Sequence, residues 1–269
     1  MKKGFLIYDK EGSKRNAWFI DRLIDLFSKK GVKLEYAAAE EFSSLDLKGL
    51  DFALVRSVAP EINGELEKKG VRVFNNYATS SIANDKWKTY LFCKELGIPV
   101  METRYCEDKT TVDYPCVVKS CAGHGGSEVF WANDEDDYRK VASSLSAKGR
   151  KYVIQRPCSD LGIDERLYVL GGKVIAAVKR YNPSDFKSNY SLGGKVEECF
   201  PTSTQIEIAE TVTKKLGSDY VGVDFILNDG HWVLNEIEDA VGARTLYALG
   251  LIDPASAFCD YVVERINRV

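Results

Sequence analysis

Histidine is almost missing from this chain: His124 and His231 are the only two in 269 residues. That excludes histidine-based nucleophile triads and histidine-rich metal centres. The seven cysteines (93, 106, 116, 121, 158, 199 and 259) are odd in number and scattered, and none is spaced Cys-x-x-Cys. They read as reduced thiols, not as a disulfide frame or a zinc site. Long apolar runs are absent too. The start has two lysines and a short apolar stretch ended by Asp9, too little for a signal peptide, and no segment is long enough to span a bilayer. Positive charge is not in excess: the net charge is -3, which gives no footprint for nucleic acid or an anionic membrane. No Gly-x-Gly-x-x-Gly follows the first strand, and no Walker-type Gly-Lys-Ser/Thr occurs, so a dinucleotide site or a P-loop is not expected. These absences predict a cytoplasmic protein whose partners are neither nucleic acid nor membrane.

What is present suits a soluble globular enzyme: 45% hydrophobic and 29% charged residues, enough chain for one large or two modest domains. Phe5–Tyr8, Val32–Tyr36, Asp51–Arg56 and Val71–Asn75 read as strands. A helical stripe over Arg15–Lys30 and a short helix over Pro60–Lys69 alternate with them. Such alternation predicts a small doubly wound parallel sheet over residues 1–78, with ligands expected off the carboxyl ends of its strands. Arg56 and Asn75–Asn76 fall there. Arg56 is either a grip for a substrate carboxylate or an ordinary surface arginine.

Beyond residue 78 a helix is expected from Ser80 to Leu96. Tyr114–Lys119 reads as a strand that ends in lysine and opens into Gly123-His124-Gly125-Gly126-Ser127. Glycines there let backbone N–H groups approach phosphate oxygens, with Lys119 adding charge; a plain mobile hairpin loop is the other reading. His124 is incidental or a phosphate contact, not a general base, and Cys121 is a candidate exposed thiol. Asp164–Tyr181 reads as a hairpin turning at Gly171-Gly172 and carrying Arg166, Lys179 and Arg180.

The stretch Val221–Thr245 organises the rest. Two alternating runs flank Asn228-Asp229-Gly230, a hairpin signature. Asp224 sits mid-strand, and Glu236 and Glu238 share one face of the second arm. Three converging carboxylates suggest a hard divalent cation; a solvated sheet face is the alternative. Arg166 and Arg180 facing that hairpin would balance a metal–polyphosphate site. Arg244, in the following loop, is a second candidate for a substrate carboxylate.

In order along the chain, Asp85-Lys86, Val117-Val118-Lys119, the Gly123–Ser127 loop and Val153-Ile154-Gln155 resemble the ATP-grasp ligases. So do Asp164-Glu165-Arg166, Lys179-Arg180, Asn189 with Ser191-Leu192-Gly193-Gly194, Gly222-Val223-Asp224 and Asn235-Glu236-Ile237-Glu238. The resemblance is to the branch holding RimK and the LysX-type lysine-biosynthesis ligases. It covers roughly residues 79–269, and residues 1–78 resemble the small domain that precedes ATP-grasp domains.

It implies an ATP-grasp fold of two α+β lobes clasping ATP, with a lid subdomain at about 98–150. It implies ATP and magnesium, two ions with manganese as a substitute, and a homodimer or tetramer. A carboxylate would be phosphorylated and the acyl phosphate attacked by an amine of a small molecule or peptide. Lys86 and Lys119 would contact phosphates and the purine side. Gly123, Gly125, Gly126 and Ser127 would close over the phosphates. Gln155, Arg156, Pro157 and Cys158 would line adenine, with Asp164 among the nucleotide contacts. Arg166 and Arg180 would stabilise the transferring phosphoryl group, near Asn189. Asp224 and Glu236 would hold magnesium. Where the family reads Glu-x-Asn, this chain reads Glu236-Ile237-Glu238, so Glu238 either ligates metal or faces outward. A kinase that phosphorylates an alcohol, or a nucleotide-binding module without turnover, would share the same ATP site.

Overall fold

The computed structural model describes residues 1–107, 112–123, 125–188 and 193–268. The chain begins with β1 (Lys3–Tyr8), α1 (Lys10–Arg15), α2 (Ala17–Lys29), β2 (Lys33–Ala38), a single-turn element (Ala39–Ser44), β3 (Phe52–Val55), α3 (Pro60–Lys68) and β4 (Arg72–Phe74). The four strands are all parallel, in the order β2-β1-β3-β4. Helix α2 forms because Phe19, Ile20, Leu23 and Phe27 recur on one face and are buried. They join Leu6 and Phe52 of the sheet and Phe258 and Val262 of the last helix in one core. The N-terminal sheet is thus sealed by the C-terminal end of the chain.

Two helices follow, α4 (Tyr77–Ala83) and α5 (Lys86–Glu95). The sequence reading expected one helix over Ser80–Leu96. The chain breaks at Asp85, whose backbone is extended and whose carboxylate accepts from the N–H groups of Trp87 and Lys88. Aspartate caps a helix better than it sits inside one. The break makes Lys86 the first residue of a new helix.

Next come β5 (Thr103–Tyr105), β6 (Cys116–Ser120), β7 (Val129–Ala132), α6 (Glu135–Ala147) and β8 (Tyr152–Gln155), forming an antiparallel sheet in the order β5-β8-β6-β7. The last part holds β9 (Ile163–Leu170), β10 (Lys173–Tyr181), β11 (Lys195–Glu198), α7 (Ser203–Leu216), β12 (Tyr220–Asn228), β13 (His231–Glu238), α8 (Arg244–Leu249) and α9 (Pro254–Asn267). Its strands form a third sheet, β11-β10-β9-β12-β13. The short strands β5 and β11 carry too little pattern to have been anticipated. Among the described residues no helix is long and apolar enough to cross a membrane.

The N-terminal sheet is docked to this third sheet by Asn75. Its Oδ1 accepts from the N–H groups of Asp219 (2.6 Å) and Tyr220 (2.8 Å), and its Nδ2 donates to Asp239 Oδ1 (2.6 Å). Asn76 caps α4, accepting from Thr79 N–H. Both had been placed at a ligand-facing strand end. The structure assigns them to docking and capping instead.

Asp219, beside this joint, accepts from Arg72 Nη2 (2.7 Å) and the Tyr261 hydroxyl (2.8 Å), while its second oxygen is buried without a partner. Burial outweighs Arg72 and pushes this carboxyl up to about 6. The fold therefore holds a proton there that the unfolded chain releases near pH 4. Stability from this group falls as pH rises from about 4 through about 6. Unfolding in urea across that window should show Asp219→Asn losing about 1–3 kcal/mol less than the parent between pH 4 and 7. Parallel curves would contradict the assignment.

Candidate active site

The β12–β13 hairpin turns on two residues. Asn228 pairs with His231, and Asp229 (φ 50°) and Gly230 (φ 77°) both adopt the left-handed conformation. That is the geometry the Asn-Asp-Gly signal predicts for a tight hairpin. From the turn the pairing runs to Phe225 opposite Leu234, and a β-bulge at Asn235 then shifts it so that Asp224 lies opposite Glu236 and Gly222 opposite Glu238. The β9–β10 hairpin turns the same way at Gly171 (φ 59°) and Gly172 (φ 78°), and sets Arg180 opposite Asp164. Strand β9, the arm of that hairpin next to β12, places Arg166 opposite Asp224. Each hairpin also carries a one-residue bulge, between Val174 and Ala176 and beside Asp224, and turn and bulge together line up the acids and arginines.

The resulting cluster is buried and closely paired. Arg166 grips Asp224 with both arms, Nε to Oδ1 and Nη2 to Oδ2, each at 2.7 Å. Its Nη1 meets Glu238. Arg180 grips Asp164 in the same way (2.6 and 2.7 Å) and also donates to Asp224 Oδ2 (2.7 Å). The Ser188 hydroxyl donates to Asp164 Oδ2 at 2.5 Å. Bidentate arginine–carboxylate pairs are among the strongest polar contacts available. Burial opposes the charge on Asp224, but Arg166 and Arg180 outweigh it and hold that carboxyl down at about 2. For Asp164 and Glu238 burial wins and raises both carboxyls, despite their arginine partners.

Arg180 and Asp164 also line a cleft between the second and third sheets. Val117, Val129 and Ile226 form apolar walls; Lys86, Lys119 and Glu236 meet within it. Lys86 Nζ lies 3.1 Å from Glu236 Oε2 and donates to the Gly123 carbonyl (2.6 Å). Lys119 Nζ donates to Asn235 Oδ1 (3.0 Å). Burial draws the Lys119 ammonium down to about 8, against the opposing pull of Glu236. Glu236 stays below the usual carboxylate range because Lys86 and Lys119 outweigh its burial.

Most expected nucleotide contacts come together here. Gly123, Gly125, Gly126, Gln155, Arg156, Pro157 and Cys158 all line the cleft. Arg166, Asp224 and Glu238 stand behind it, and Ser127 follows the glycine turn outside the wall. Asn189 and His124 lie outside the described residues, as do Ser191 and Leu192. Arg56 and Arg244 line a separate pocket. The surface reading of Arg56 is overturned, since it is buried. Cys121 is not an exposed thiol: it is buried, and burial pushes it up to about 12.

Among the described residues no three ligating side chains form a closed metal cage. The donor set nevertheless suits magnesium, which needs only one or two carboxylates when phosphate oxygens and water complete its shell. Glu236 fits that role best. Among the described residues its ion pair is with Lys86 alone, at 3.1 Å, whereas both oxygens of Asp224 are engaged by arginines.

Residues 83–262 match the family model described as the RimK-like ATP-grasp domain. The chain belongs to the RimK-like ATP-grasp family. It is 28% identical over 255 residues to the uncharacterised protein MG011 of Mycoplasma genitalium, covering 92% of this chain and 88% of that one. It is 28% identical over 240 residues to human N-acetylaspartylglutamate synthase A, covering 81% of this chain and 61% of the synthase. In fold it is similar to D-alanine–D-alanine ligase of Bacillus anthracis complexed with ATP, with a TM-score of 0.77 at 18% identity, covering 100% of this chain and 98% of the ligase.

Four residues of this ATP-grasp cleft, Phe186, Lys187, Ser188 and Asn235, carry no role in the sequence reading. Lys187 reaches across to donate to the Gly126 carbonyl (3.2 Å), and neighbouring Phe186 packs on Trp131 (5.4 Å between centroids). Ser188 braces Asp164, and Asn235 holds Lys119. The available signal for Phe186, Lys187 and Ser188 is their run directly before Asn189.

Proposed function

We propose that this cleft binds ATP with magnesium at Glu236 and that the chain phosphorylates a carboxylate and passes the acyl group to an amine. The protein is an ATP-dependent ligase forming C–N bonds. The observation carrying the site assignment is the convergence of Lys86, Lys119 and Glu236 at one end of an apolar-walled cleft, with Arg180 fixed beside them.

Val117, Val129 and Ile226 would sandwich the purine, and the 155–158 strand end would meet its edge. Lys119 and Lys86 would take phosphate oxygens, releasing Glu236 to the metal. Magnesium, one or two ions with manganese substituting, would neutralise charge on the transferring group. Arg180, held in place by Asp164 and Asp224, offers fixed positive charge where negative charge develops. The glycine turn and Lys187 would exclude water by closing the cleft. In this reading residues 1–78 form the preceding domain, 79–269 the ATP-grasp domain and about 98–150 its lid. The scattered free thiols and the need for ATP suit the cytoplasm.

In the first step the carboxylate oxygen bonds to the γ-phosphorus and ADP leaves. In the second the amine nitrogen bonds to the acyl carbon, phosphate leaves with that oxygen, and the nitrogen loses a proton. An acid labelled with heavy oxygen in its carboxylate should therefore hand one label to the released phosphate. Unlabelled phosphate, or a stable phosphorylated alcohol, would contradict ligation.

A further inference from the structure

Between the carboxyl ends of β1 and β3 and the loop after β13 lies a second pocket of about 370 Å³. Tyr8, Arg15, Trp18, Arg56, Arg244 and Tyr247 line it, and among the described residues no carboxylate does. Its base is unusual. Arg56 is more than nine-tenths buried, yet among the described residues it has no acidic partner. Its Nη2 donates to the Val241 carbonyl at 2.5 Å, and it faces the rings of Phe19, Tyr220 and Phe258 at 5.6–6.0 Å. Its Nε is buried without a partner among the described residues, and the Tyr8 side chain is a further hydrogen-bond partner of the guanidinium. Asp239 acts on Arg56 through space without forming an ion pair with it, and accepts its hydrogen bonds from Asn75 and Asn84.

Among the described residues this buried cation has no ion pair and is compensated by Tyr8, the Val241 carbonyl and the field of Asp239, so a ligand's anion would add the direct counter-charge it lacks. Arg15 and Arg244, exposed at the rim, show no ion pair among the described residues and add to the same demand. The absence of any carboxylate from the wall removes a counter-charge for an ammonium group. Trp18 supplies the remaining constraint. It is 60% exposed, and its ring meets Tyr247 edge-on at 4.9 Å. A large ring left open beside arginines suits a flat, apolar partner surface.

We propose that this pocket takes an aromatic carboxylate without an ammonium group, its anionic end on Arg56 and its ring against Trp18. This rests on the ligase reading in one respect: the ligand is the acid to be coupled. The loop flooring the pocket runs directly from Glu238, and the Tyr168 hydroxyl pins it by donating to the Gly242 carbonyl (3.1 Å).

The test is calorimetric binding of benzoate, phthalate, phenylalanine and glutamate to the full chain, with ATP affinity measured separately. Benzoate or phthalate should bind, and phenylalanine, with a similar ring but an ammonium group, should bind at least about tenfold more weakly. Trp18→Ala and Arg244→Gln, both at exposed positions that spare the fold, should each weaken the aryl acid about tenfold and leave ATP affinity unchanged. Phenylalanine or glutamate binding as tightly as benzoate would overturn the proposal. So would aryl-acid affinity indifferent to both variants. Aryl-acid binding that follows these variants, with no ADP release for any amine, would uphold the pocket and overturn the ligase reading. ADP release with acids whose KM ignores both variants would do the reverse.

Discussion

Replacing Glu236 by alanine should lower magnesium-dependent turnover by about a thousandfold or more while the protein stays folded. The size follows from the charge the metal would neutralise on the transferring phosphoryl group, worth several kcal/mol, or about two to four decades of rate. The stability effect should be small, about 1 kcal/mol or less, because the pair with Lys86 is partly solvated, with side chains 15% and 26% exposed. Lys119 loses some compensation in this variant, but its ammonium is already drawn down to about 8 by burial and can shed its proton. ATP itself should still bind, since Lys119 and the apolar walls remain. Lys119→Ala should behave in the opposite way and lose ATP binding first. Steady-state kinetics and calorimetric ATP titration separate the two. Normal turnover in Glu236→Ala would remove the metal assignment.

The largest stability effect should come from Arg180. Arg180→Ala deletes three charge-assisted bonds in a buried site, two to Asp164 and one to Asp224. Asp164 is then left with Ser188 alone, and breaking a buried pair in this way costs about 3–5 kcal/mol. Removing the Asp164 charge as well, in Arg180→Met with Asp164→Leu, should recover part of that loss, because the penalty lies mostly in the uncompensated carboxylate. The pH dependence has a definite sign. Burial already raises Asp164, and loss of Arg180 removes an opposing influence. The folded variant then favours the protonated acid, so its deficit should grow from pH 5 to pH 8. Urea unfolding of the parent, single and double variants measures all three. A single-variant loss below about 1 kcal/mol would mean that Arg180 is not the anchor described.

The parts of this site visible in the sequence are those with local causes. The Asp-Gly and Gly-Gly turns fix both hairpins. Period-two spacing puts Glu236 and Glu238 on one face of their strand, but Asp224 joins that face, and Arg180 meets Asp164, only through a bulge in each hairpin that the turn signals do not report. The glycine loop after Lys119 is equally local. What stayed hidden depends on distant parts of the chain. The Lys119–Asn235 bond spans 116 residues and Asn75–Asp239 spans 164, and no pattern in a short window reports either. The break at Asp85 was missed because capping competes with a helical stripe that runs through it. The two readings of Arg56, grip or surface residue, stay level in the sequence because its burial is created by Phe258 and Tyr220, contributed from the far end of the chain.

The most direct test of the account is magnesium-dependent ADP release from ATP, measured with acids and amines singly and in pairs. The account predicts release that requires one acid together with one amine, yields an amide, and disappears in Glu236→Ala. Release with a single hydroxylated compound and no amine, or tight ATP binding with no release in any pairing, would contradict it.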